Sequence, residues 1–98
     1  MKNWYRHGDV IIKEITQKYY KELLQENTPK NDYVVAYGEA TGHHHELQAK
    51  TGTAQVLVSG NNQETVAFSV KQDTELSHEE HKTIEIPKGY YQVEFERE

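Results

Sequence analysis

Residues 54–70 read Ala54-Gln55-Val56-Leu57-Val58-Ser59-Gly60-Asn61-Asn62-Gln63-Glu64-Thr65-Val66-Ala67-Phe68-Ser69-Val70. Two runs rich in β-branched and aromatic residues flank Gly60-Asn61-Asn62, so they predict an antiparallel hairpin with strands over 54–59 and 65–71. Val66, Phe68 and Val70 alternate with small or polar residues. That period of two gives the hairpin one buried and one solvated face.

The same signals recur on both sides of the hairpin. Gly8-Asp9 is a turn, and Val10–Ile15 reads as a strand. The period then changes: Thr16 caps a helix over Gln17–Glu26, whose Tyr19, Tyr20, Leu23 and Leu24 make one apolar side that covers a sheet. Asn27-Thr28-Pro29-Lys30-Asn31-Asp32 reads as a loop. Further strands are expected over 33–37, 43–48, 83–86 and 90–97, and residues 1–7 read as an entry segment. Six or seven short strands with one helix predict a mainly β (α+β) fold, a small antiparallel β-barrel or sandwich with one covering helix.

A chain of 98 residues is expected to form one domain with a thin core. Seven tyrosines, two phenylalanines and one tryptophan must supply much of its buried area, and a homodimer would bury more. Cysteine is absent, which excludes disulfides, thiolate metal ligands and a thiol nucleophile. No signal peptide and no membrane-length apolar run is evident, so the expected compartment is the cytoplasm. The net charge of −5 argues against a surface for duplex DNA. A pocket gathering histidines could still take a compact anion, such as a small nucleotide or an RNA ligand.

The chemistry concentrates in Gly42-His43-His44-His45-Glu46-Leu47 and His78-Glu79-Glu80-His81, which hold five of the six histidines. If 43–48 is extended, His43, His45 and Leu47 share the inward face and His44 faces solvent. His7, beside Gly8-Asp9, reads as a turn residue. Inward imidazoles in a small core are costly unless paired or bound, and two chemistries use them.

In one, no cofactor is needed. His43 or His45 faces His78 or His81 as acid and base in phosphodiester cleavage, with Lys82 or Arg97 for charge and Tyr90 or Tyr91 as donor or stacking surface. Glu39, Glu79 or Glu80 orients an imidazole. In the other, His43, His45 and His81 ligate one divalent transition metal, because His-x-His on a strand projects two imidazoles to one side.

Three stretches resemble a family of short, largely uncharacterised bacterial and phage proteins. They are residues 6–12, beginning Arg6-His7-Gly8-Asp9; residues 38–45, Gly38-Glu39-Ala40-Thr41-Gly42-His43-His44-His45; and residues 78–93, which carry His78-Glu79-Glu80-His81 and Ile86-Pro87-Lys88-Gly89-Tyr90-Tyr91. The resemblance implies that His43, His45, His78 and His81 belong to the family pattern and that the position of His44 can hold other residues. Gly42-His43-His44-His45 and Ile86-Pro87-Lys88-Gly89 also look like pieces of cupins, although the cupin histidine after Pro-x-Gly is missing here.

Three functions follow as expectations. The first is a histidine-dependent, metal-independent phosphodiesterase acting on RNA or a small cyclic oligonucleotide, ring-nuclease-like, in phage defence or counter-defence. The second is a cupin-like metal-binding barrel or metal-dependent enzyme, and the third a non-catalytic interaction protein. The nuclease is placed first, since four motif histidines exceed what an open three-ligand site needs.

Overall fold

The computed structural model describes residues 3–30, 32–37, 44–61, 63–79 and 81–96. In chain order the elements are β1 (Trp4–His7), β2 (Val10–Ile15), α1 (Gln17–Glu26), β3 (Thr28–Lys30), β4 (Val34–Tyr37), β5 (His44–Leu47), β6 (Ala54–Val58), β7 (Thr65–Val70), β8 (Thr74–Ser77), β9 (Ile84–Ile86) and β10 (Gly89–Phe95). They form a six-stranded sheet, β1-β2-β10-β7-β6-β3, and a four-stranded sheet, β4-β5-β8-β9. Every pairing is antiparallel. Among the described residues the two sheets do not close into a barrel, so the sandwich alternative describes the fold.

The two sheets share one apolar core. The larger contributes Ile12, Val56 and Phe68; the smaller contributes Val35, Leu47 and Leu76. Ten strands form among the described residues where the sequence pattern predicts six or seven, because the extra ones are short: β1 falls in the expected entry segment and β3 in the expected loop. β3 lies at an edge of its sheet, where Pro29 can be tolerated because one side of the strand needs no partner.

The β6–β7 hairpin pairs as expected, with Val56 opposite Phe68. Its second face is not solvated, however. Leu57 and Ala67 are fully buried there beneath Tyr20 of α1, with Leu23 and Leu24 alongside. The helix begins where Thr16 accepts a hydrogen bond from the Tyr19 amide at 3.1 Å, an N-cap that satisfies one unpaired donor of the first turn. Tyr19 itself stays 38% exposed, so the apolar side is narrower than its composition suggested.

A register irregularity lies between Val34 and Ala36 where β4 meets β5. It lets Val34, Val35 and Ala36 be buried consecutively, and Ala36 then pairs with His45. Bulges of this kind bend a strand and redirect its side chains. No helix among the described residues is long and apolar enough to cross a membrane.

Candidate functional site: a four-histidine cluster

The register of the smaller sheet places the first two histidines. Glu46 pairs with Ser77 and Leu47 with Leu76. Continuing this antiparallel ladder by one residue brings His45 level with His78, on the same face as buried Leu47 and Leu76. Their ring centres are 4.4 Å apart. His81 follows three residues after His78, and its ring lies 4.5 Å from that of His78 and 5.9 Å from that of His45.

The fourth ring comes from the other sheet. His7 was expected to be a turn residue, but it ends β1 and is only 2% exposed. The turn proper is Gly8-Asp9, across which His7 pairs with Val10. His7 Nδ1 and His45 Nδ1 are 2.8 Å apart, and His7 Nε2 lies 2.9 Å from the Lys82 carbonyl oxygen. The His7 ring is 4.9 Å from that of His45, 6.3 Å from that of His78 and 5.7 Å from that of His81. The missed signal was alternation, since Tyr5 and His7 share the inward side of a strand that ends at a two-residue turn.

Gly8 makes the approach possible. Its φ of +65° favours glycine, and a β-carbon there would meet His81 Nε2 at 2.6 Å. Asp9 brings a carboxylate oxygen to 3.7 Å from His45 Nε2. That is too long for a hydrogen bond.

Burial is the main reason both inner imidazoles resist protonation. The His45 pKa is lowered to about 4 by desolvation, helped by His7 and His78 and opposed by Asp9. His7 is also lowered, first by burial; its hydrogen bond to the Lys82 carbonyl opposes this, and His81 and His78 reinforce it. At neutral pH the two are therefore uncharged.

His44 points away from the cluster, as alternation predicted, and is half-buried between Glu46 at 3.5 Å and Glu79 at 3.6 Å. Its backbone amide also donates to Glu79 at 3.1 Å. Hydrogen bonds from backbone amides, Glu79's own and that of His44, hold the Glu79 carboxyl below the usual range.

The other candidates fall in different places. Tyr91 is buried in the core, stacked on Phe68, and its hydroxyl donates to the Pro87 carbonyl at 2.6 Å. Tyr90 packs beneath the helix. Lys82 is exposed, and its backbone carbonyl faces His7. His43, Glu39, Glu80 and Arg97 lie outside the described residues. No three His, Asp or Glu side chains among the described residues are arranged to hold a metal ion as they stand.

Fold and site together define a two-sheet antiparallel sandwich with a histidine cluster drawn from both sheets. The chain belongs to the family described as "Domain of unknown function (DUF8820)", whose model matches residues 6–96. No curated protein and no solved structure matches it.

Proposed function

We propose that the cluster is a transition-metal site of a metal-dependent hydrolase, with His45 as buried ligand through Nε2 and His78 and His81 as ligands from the segment after β8. The observation that carries this reading is the environment of His45. One of its nitrogens is engaged by His7, and the other faces the Asp9 carboxylate at 3.7 Å with the His78 ring 4.4 Å away. Imidazole nitrogens sit about 2.0–2.1 Å from such an ion, which puts neighbouring ligand rings roughly 4.5–5.5 Å centre to centre. The separations of 4.4 and 4.5 Å lie at the lower limit of that range, and that of 5.9 Å lies just beyond its upper limit.

Binding requires the His78 and His81 rings to turn their nitrogens inward. Both lie outside regular secondary structure, and His81 is exposed. An all-nitrogen donor set with an acidic neighbour suits zinc, nickel or cobalt better than magnesium or calcium. A three-histidine site leaves a coordination position for water, the species such ions activate for hydrolysis.

The hydrogen-bonded chain from His45 through His7 to the Lys82 carbonyl favours a second reading, the metal-free phosphodiesterase. There His45 takes a proton and His78 or His81 gives one, with RNA or a small cyclic oligonucleotide as substrate. We place it second because an imidazole held neutral down to about pH 4 is a weak base but a ready ligand.

Metal analysis of untagged protein before and after chelation tests the order. About one equivalent of zinc, nickel or cobalt, lost in His45→Ala and His81→Ala variants, supports the metal site. Metal-free protein that cleaves oligonucleotides in the presence of chelator sinks it in favour of the second reading.

A further inference from the structure

We infer that His7 is a positioning residue, holding His45 in the tautomer that carries its proton on Nδ1 and leaves Nε2 bare toward the cluster. The role rests on the reading of His45 as the working imidazole. It follows from donor and acceptor accounting along a chain that begins at a group with no choice of role.

A backbone carbonyl only accepts hydrogen bonds. His7 Nε2, 2.9 Å from the Lys82 oxygen, must therefore carry a proton. A neutral imidazole has one proton, so His7 Nδ1 is left with a lone pair. The 2.8 Å contact between the two Nδ1 atoms then needs a donor, and only His45 can supply it. Neutral His45 with its proton on Nδ1 presents Nε2 as a lone pair, 3.7 Å from the Asp9 carboxylate. Were His7 charged, both of its nitrogens would donate and the assignment would reverse. His7 is only 2% exposed, and a charged imidazolium buried there without an anionic partner is costly.

The geometry gives His7 no better employment. Burying an imidazole costs free energy unless both nitrogens are satisfied, and both are. Its two hydrogen bonds join β1, β5 and the residue after His81, so the anchor that orients His45 also braces the segment carrying the outer rings. Imidazoles at working sites commonly have their tautomer set by the hydrogen bond of the second nitrogen. Here a second histidine is interposed between that imidazole and the carbonyl.

Glutamine provides the discriminating variant, because its amide can donate to the Lys82 carbonyl and its oxygen can accept from His45. Phenylalanine keeps the ring volume and does neither. Nitrogen-15 NMR of the ring nitrogens in chelator-treated, metal-free protein at neutral pH reads the tautomer directly. The parent and His7→Gln should show His45 protonated at Nδ1, whereas His7→Phe should move the proton to Nε2. Zinc affinity should drop tenfold or more in His7→Phe and recover in His7→Gln. A parent His45 protonated at Nε2 overturns the inference without recourse to any variant, and so does a folded His7→Phe with unchanged His45. If the parent shows the expected tautomer yet binds no metal, His7 keeps this role and the metal reading is what fails.

Discussion

Gly8 and His81 occupy positions that exclude a side chain between them: a β-carbon on Gly8 would lie 2.6 Å from His81 Nε2. The φ of +65° at Gly8 adds a second obstacle, costing a non-glycine residue about 1–2 kcal/mol. Gly8→Ala should therefore lower stability by about that amount, measured by urea denaturation. Because His81 is exposed and can move, the steric part should appear as a displaced ring. Weaker zinc binding and a shifted His81 side-chain NMR signal are the expected outcome, and an unchanged His81 signal would contradict this packing.

Acid should destabilise the metal-free protein in a defined window. The His45 pKa lies at about 4 in the folded state against 6.5 when unfolded, and His7 is lowered too. Between those values the unfolded chain binds more protons, so stability is full above about pH 6.5 and declines as pH falls toward 4. At 1.36 kcal/mol per unit, His45 alone contributes at most about 3 kcal/mol to that decline. Urea midpoints across the window check it. A His45→Gln variant, whose residue 45 does not titrate, should show a visibly shallower slope.

The helix should matter through what it covers. Leu57 is buried from water but lies outside the inter-sheet core, beneath Tyr20 on the outer face of the larger sheet. Truncating a buried leucine costs about 2–5 kcal/mol. Leu57→Ala should fall in that range. Thr16→Ala, which removes the cap, should cost only about 1 kcal/mol. A Leu57→Ala loss no larger than that of Thr16→Ala in thermal or urea unfolding would mean that the helix does not seal this face.

Much of this was legible in sequence because it is local. The helix over Gln17–Glu26 and its Thr16 cap follow from a change of period and a side-chain oxygen. The inward turn of His45 follows from its spacing to Leu47. What could not be read was non-local. Nothing in residues 1–9 says that β1 completes a six-stranded sheet, so alternation at Tyr5 and His7 had no sheet to refer to. The solvated face assigned to the hairpin failed similarly, since Leu57 and Ala67 are apolar for a helix some thirty to fifty residues earlier in the chain. The expectation of Tyr91 as a donor or stacking surface could not take its burial into account: Tyr91 is 1% exposed and its hydroxyl donates to the Pro87 carbonyl, four residues away.

His78 and His44 separate the cluster from its surroundings, because both neighbour His45 and only one shares its face. The His78 ring is 4.4 Å from that of His45, whereas His44 lies between Glu46 and Glu79 on the other side of β5. His78→Ala should lower zinc affinity tenfold or more by removing a donor. His44→Ala should change it less than about threefold, because the backbone amide of residue 44 still donates to Glu79 and keeps the segment before His81 in place. The effect on an outer interaction is thus expected below the 10–100-fold seen when a ligand's own hydrogen-bond partner is removed. Competition titration against a chromogenic zinc chelator measures both. Equal losses in the two variants would show that the acidic face around His44, and not the four-ring cluster, is where the ion binds.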